Sequence, residues 1–186
     1  QRHAVARWAL SQAMSVACPG RPDAEKSLTL DPWSETLQPD MGMHPRVSVL
    51  ILAYNHERTI ARCLESIVEQ ECPFEFEILV GDDCSTDKTL SIVTAIQARH
   101  PGMIRIFASS RNTGYPSNRE NLRLHARGEY VAFCEGDDRW CRIDKLTAQV
   151  ALLDAHHEAV GCVGSYFIEG GGRMEPVVFP TLNPVV

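Results

Sequence analysis

Tyr130-Val131-Ala132-Phe133-Cys134-Glu135-Gly136-Asp137-Asp138-Arg139-Trp140 places a short apolar run directly before three carboxylates. Residues 130–134 have the length and composition of a buried strand. Such a strand would push Glu135, Asp137 and Asp138 out of its carboxyl end, where open α/β sheets keep their ligands. Clustered carboxylates repel one another, and a hard divalent cation is the simplest relief. Acidic residues are also common at helix starts, so a plain acidic turn is the competing reading.

Upstream, Val47-Ser48-Val49-Leu50-Ile51-Leu52-Ala53 is nearly continuous and apolar, as in a strand covered on both faces. A polar turn follows, and then Ile60, Cys63, Leu64, Ile67 and Val68 recur at helical spacing. Residues 74–80 read as a second strand, ending at Gly81-Asp82-Asp83-Cys84-Ser85-Thr86-Asp87. A helix over 88–99, a strand over 104–108, a polar loop over 109–117 and a helix over 118–126 lead to the acidic stretch. Beyond it, Ile143, Leu146, Val150 and Leu153 mark one more helix, and 160–168 a last strand. This alternation predicts an α/β fold with a mostly parallel, doubly wound sheet and helices on both faces. Three segments then meet at one sheet edge: 53–57, 81–87 and 135–138.

The chain has 186 residues, 44% hydrophobic and 23% charged, enough for one well-buried domain. A net charge of −6 argues against nucleic acid as a partner. The seven cysteines include no C-x-x-C pair, and no histidine pair completes a zinc pattern, so reduced thiols in the cytoplasm are expected. No apolar run approaches the roughly 20 residues that span a bilayer. Residues 1–43 differ in character: a short helix over 7–17 and a proline-broken linker, loosely attached or foreign to the fold. The domain is expected over 44–186.

The first turn, Ala53-Tyr54-Asn55-His56-Glu57-Arg58, has no glycine, which argues against a dinucleotide fingerprint, and no P-loop motif is present. An aromatic there suits a flat base: Tyr54 can stack on it, and backbone around Ala53 can bond its edge. Of Asp82 and Asp83, neighbours pointing opposite ways, one can face the site and the other anchor the loop. Asp87 and Ser85 are placed to cap the next helix. Asp137 and Asp138 divide a ribose hydroxyl and a metal ion between them, or share the ion. Oxygen ligands favour Mg²⁺ or Mn²⁺. Cys84 and Cys134 read as small packing residues, His56 as a solvated loop residue and Trp140 as a core anchor. A receiver-like domain built on Asp82 and Asp83 is a rival from another class.

Together the three segments resemble the family 2 glycosyltransferases of the GT-A fold. The resemblance lies in Val47 through Asn55, in Phe76 through Asp87, and in Gly128-Glu129-Tyr130 through Asp138 with Trp140 and Lys145-Leu146. The Cys-Glu-Gly-Asp-Asp subset, with Asn118 in the preceding helix, is similar to members that build bacterial surface polysaccharides. The resemblance implies metal-assisted, inverting transfer of a sugar from a UDP or dTDP donor to a saccharide or lipid-linked acceptor. The setting would be the cytoplasm, with peripheral contact at the inner membrane face. The donor would be held by Ala53, Tyr54, Asn55, Glu57, Asp83, Asn118, Glu135 and Asp137, and Mn²⁺ or Mg²⁺ by Asp137 and Asp138. Arg139 and Cys141-Arg142-Ile143 depart from the pattern. The catalytic base of such enzymes lies well past the metal segment, and no residue here is assigned to it. The expectation is a domain truncated at its C-terminus, and the alternative a nucleotide-sugar-binding module without turnover.

Overall fold

A computed structural model describes residues 13–16, 32–35, 44–170 and 173–177. In chain order the elements are β1 (Ala13–Val16), β2 (Trp33–Glu35), β3 (Val47–Ala53), α1 (Ile60–Val68), β4 (Phe76–Asp82), α2 (Thr89–Arg99) and β5 (Ile104–Ser109). They continue with α3 (Tyr115–His125), β6 (Tyr130–Glu135), α4 (Lys145–Ala155), β7 (Gly161–Val163), β8 (Tyr166–Gly170) and β9 (Arg173–Val177).

Seven strands form one sheet in the order β2-β5-β4-β3-β6-β1-β7. Strands β5, β4, β3 and β6 run parallel, and every residue of β3, β4 and β6 is buried. Side-chain alternation splits β3 between two cores. Val47, Val49, Ile51 and Ala53 pack with Ile60, Cys63 and Leu64 of α1, Val93 and Ile96 of α2, and Leu146 and Val150 of α4. Leu50 and Leu52 pack on the other face with Leu79, Phe107, Val131, Phe133 and Leu122 of α3. Helices thus cover both faces, as the alternating sequence pattern predicts, with three on one side and one on the other.

Several expectations are corrected. A helix was expected over 7–17, but residues 13–16 are a strand, pairing antiparallel with β6 and β7. Met14 is fully buried and sits opposite Ala132 and Cys162. Pairing with a distant strand overrides the local helical pattern here. Trp33–Glu35 likewise pairs with β5. Two strands of the sheet thus come from the first 43 residues; apart from 13–16 and 32–35, that stretch lies outside the described residues. The single strand expected over 160–168 is two, because Gly164 and Ser165 separate β7 from β8, which turns back onto β9. Ile143, expected inside a helix, precedes α4 and is exposed.

The amino ends of the strands are fixed by a buried polar network. Glu77 accepts from Ser48 Oγ at 2.7 Å and pairs with Arg105 at 3.2 Å. Ser48 Oγ in turn accepts the N–H of Gly128 at 2.8 Å. The network anchors the turn into β6 and so positions the acidic loop at that strand's far end.

Candidate functional site

The turns after β3 and β4 are tied together at the carboxyl edge of the sheet. Asn55 Oδ1 accepts the N–H of Thr86 at 2.8 Å, and Ser85 Oγ accepts that of Asn55 at 3.0 Å. Asp87 accepts the N–H groups of Glu57 (3.0 Å) and Thr89 (2.8 Å), and Glu57 accepts that of Lys88 (3.2 Å). Asp87 thereby serves the start of α2, while Ser85 serves the neighbouring turn. Two non-glycine residues here adopt left-handed backbone, Asn55 (φ 55°) and Cys84 (φ 63°). Such conformations cost energy and persist where surrounding bonds over-determine them.

A groove of about 500 Å³ opens above these turns. Ala53, Tyr54, Asp83, Asn118, Glu135 and Asp137 line it. Six of the eight residues expected to hold a donor are therefore brought together. Asn55 and Glu57 are not among the lining residues, and their side chains hold the turns instead. Tyr54 is 44% exposed. Asp82 and Asp83 point apart, as alternation requires. Asp82 accepts the N–H of Ser85, and Asp83 accepts from Thr113 N (2.7 Å), Thr113 Oγ1 (2.9 Å) and Gly114 N (2.7 Å). A carboxylate offers about four acceptor positions, so these three bonds leave Asp83 one more. Asn118 Nδ2 donates to Gly81 O at 2.8 Å, and a Cβ at Gly81 would lie 1.9 Å from Asn118 Oδ1. Glycine at 81 is what lets α3 approach the end of β4.

His56 was expected to be solvated but is partly buried, and it lines the groove. Its Nδ1 has no hydrogen bond and sits 2.5 Å from where a Cβ on Gly136 would stand. Asn112, Gly114 and Tyr115 also line the groove; the first two read in the sequence only as loop breakers, and none was given a place at the site. Their placement depends on Asp83 gathering the 113–114 backbone, a contact across thirty residues that no local pattern announces.

The acidic loop is held from below. Gly136 N donates to Leu52 O at 2.9 Å, Asp138 N to Glu135 O at 2.9 Å, and Trp140 N to Ser66 Oγ at 3.0 Å. Trp140 is buried, as a core anchor should be. Cys134 is fully buried with its sulfur 3.7 Å from that of Cys63. Glu135 and Asp138 are buried and Asp137 is exposed. Asp137 lines the first groove and also a second one, of about 610 Å³, which Asp138 lines as well. Among the described residues no three His, Cys, Asp or Glu side chains converge as a metal cluster. That donor set fits Mg²⁺ or Mn²⁺, which take one or two protein carboxylates and complete their shell with water and substrate phosphates.

Lys145 lies behind this loop, its Nζ 4.2 Å from the Trp140 ring centre and 2.5 Å from Gln149 Oε1. Burial lowers its pKa to about 8. A lysine depressed in this way binds fewer protons when folded than when unfolded. The folded state is therefore penalised below pH 8, and the penalty is relieved as pH rises toward the unfolded value near 10.4. The stability gap between wild type and Lys145→Met, from urea unfolding, should shrink by on the order of 2 kcal/mol over that window.

The geometry can be compared with known proteins. Residues 48–180 match the model of the family described as glycosyl transferase family 2, well over half of the chain. The chain belongs to glycosyl transferase family 2. TarS of Staphylococcus aureus, a poly(ribitol-phosphate) β-N-acetylglucosaminyltransferase, is 35% identical over 129 residues, covering 68% of this chain and 22% of TarS. A crystal structure of TarS residues 1–349 with UDP superposes with a TM-score of 0.55 at 36% identity, over 60% of this chain and 33% of that one. The mannosyltransferase PcManGT of Pyrobaculum calidifontis, with GDP-Man and Mn²⁺, gives 0.56 at 31% identity, over 67% and 36%. Other curated relatives are matched over 15% to 48% of their length, so the chain spans less than half of each of these proteins. The fold is that of these glycosyltransferases, and the receiver-like reading is set aside.

Proposed function

We propose that the 500 Å³ groove holds a nucleoside diphosphate sugar and that the protein transfers the sugar to an acceptor hydroxyl with inversion. The observation that carries this reading is one groove collecting Tyr54 after β3, Asp83 after β4, Asn118 of α3, and Glu135 and Asp137 at the end of β6. In this reading Tyr54 stacks on a uracil or thymine, and the remaining acceptor position of Asp83 takes a base N–H. Ala53 O already accepts from Asp83 N at 2.9 Å and keeps a second lone pair for the base edge. Glu135 and Asp137 face the ribose and diphosphate side. Asn118 holds the wall between β4 and α3. Asp137 and Asp138 would hold Mn²⁺ or Mg²⁺, which as a Lewis acid stabilises the departing nucleoside diphosphate. The UDP and GDP-Man bound by the two structural relatives support a nucleotide-sugar donor.

A second reading is donor binding without turnover. It is favoured by the carboxylates of the two grooves, which are Asp83, Glu135, Asp137 and Asp138. Among the described residues no other carboxylate lines either groove to act as base. Isotope-labelled UDP-sugar incubated with Mn²⁺ and an oligosaccharide acceptor separates the two. Labelled product or released sugar is expected from the transferase, whereas donor retention without either supports the binding module. A cytoplasmic location is proposed from the donor class. Among the described residues no helix is long and apolar enough to cross a membrane.

A further inference from the structure

A side chain of the first groove keeps a polar atom that the protein leaves without a partner. His56 follows Tyr54 and Asn55 in the turn after β3 and is partly buried. Its backbone is fixed from two helices. Its N–H donates to Thr89 Oγ1 at 2.7 Å, at the start of α2. Its carbonyl accepts the N–H groups of Thr59 (3.0 Å) and Ile60 (2.9 Å), where α1 begins. The ring is thereby set against the acidic loop. A Cβ at Gly136 would stand 2.5 Å from His56 Nδ1, 3.0 Å from Ile60 Cδ1 and 3.2 Å from Leu52 O, so glycine at 136 is what admits the ring. Nδ1 is closed off there, with no hydrogen bond. A buried acceptor without a partner is tolerated better than a buried N–H without one. The ring proton therefore belongs on Nε2, the nitrogen left to meet the groove that His56 lines. The rest of the groove makes that N–H consequential. Asp83, Glu135 and Asp137 line it, and among its described lining residues there is no lysine or arginine. A diphosphate entering beside Glu135 and Asp137 meets like charge on that side and no cationic side chain in the groove to receive it.

We propose that His56 binds the nucleotide directly, its Nε2–H hydrogen-bonding a phosphate oxygen of the nucleoside diphosphate beside the acidic loop. The proposal rests on the first groove being the nucleotide-sugar site. A ring held from α1, from α2 and against Gly136 presents its N–H already oriented, so little ordering cost opposes the bond. A charged acceptor makes that bond stronger than one between neutral groups.

The test titrates wild type, His56→Gln, His56→Asn and His56→Leu with UDP and Mn²⁺ by calorimetry, and with uridine by NMR shift changes. Glutamine carries an amide N–H to the place of Nε2, and asparagine to the place of Nδ1. His56→Leu and His56→Asn should weaken UDP binding about tenfold, and His56→Gln by no more than about threefold. Uridine, which has no phosphate, should change by less than about twofold in all three. The thermal midpoint of His56→Leu should stay within about 2 °C of wild type or rise, because the protein loses no side-chain hydrogen bond of its own. Unchanged UDP affinity in His56→Leu overturns the proposal. So does an equal loss for UDP and uridine, which marks a deformed turn, and so does His56→Gln binding as weakly as His56→Asn. The Gln and Asn pair keeps the test decisive should His56→Leu fold poorly. If wild type binds UDP and the variants bind it equally well, the role of His56 alone falls. If wild type does not bind UDP with Mn²⁺, the nucleotide-sugar reading falls and takes the role of His56 with it.

Discussion

Asp137→Asn is expected to weaken Mn²⁺-dependent binding of UDP by about a hundredfold while leaving the fold intact. Asparagine keeps the shape and one carbonyl oxygen but removes the negative charge. Asp137 is exposed and lines both grooves, so it bears on ligands more than on packing. Its replacement should move unfolding stability by no more than about 0.5 kcal/mol, as at other surface positions. Calorimetry with Mn²⁺ and then with EDTA checks both parts. The mutant should show the weak binding that wild type shows with EDTA, and little further loss when metal is removed. Full metal-dependent affinity in the mutant would place the ion elsewhere.

The second large effect lies at the opposite edge of the sheet. Gly128→Ala is expected to cost about 3–5 kcal/mol of folding stability. A Cβ there would stand 2.5 Å from Ser48 N and 2.7 Å from Val47 C, backbone atoms of the central strand β3 that have no room to retreat. Relief by displacing residue 128 breaks its 2.8 Å bond to Ser48 Oγ, and with it the set that satisfies buried Glu77. Glu77 also accepts Arg127 N at 2.8 Å and pairs with Arg105. A disturbed turn therefore leaves a buried charge poorly matched. Thermal unfolding should shift down by about 10 °C for a chain of this size. The folded fraction should still bind UDP, because the groove lies at the other end of the strands. A shift below about 2 °C would show that the turn relaxes freely.

Much of the fold is legible because its central strands are buried on both faces. Val47–Ala53 and residues 130–134 carry continuous apolar runs with no competing helical reading. The helices α1 and α4 show their buried stripes in Ile60, Cys63, Leu64 and Ile67, and in Leu146, Val150 and Leu153. Short antiparallel strands are not legible in this way. Ala13–Val16 has too few residues to show a period, and its partners lie more than a hundred residues away.

At the site, sequence placed the residues that face the groove through the strand ends themselves: Ala53, Tyr54, Asp83, Glu135 and Asp137. It could not tell a side chain turned toward a ligand from one turned toward a neighbouring loop. Asn55 and Glu57 fall on the wrong side of that distinction because their partners, Thr86 and Lys88, belong to the next turn. Lys145 entered only as part of the resemblance, and its burial was not anticipated because lysine is ordinarily solvated. Its burial follows from Trp140 and Gln149 closing around it, a tertiary arrangement in which only Gln149 stands at helical spacing.

Paramagnetic broadening by Mn²⁺ in the presence of UDP, read on the backbone amides by NMR, bears most directly on the central claim. The amides of 53–54, 83 and 135–138 should broaden together when both ligands are present, while those of 127–129 at the far edge stay sharp. Broadening that spares 135–138, or that is the same without UDP across the whole surface, would contradict a metal–diphosphate site at the acidic loop.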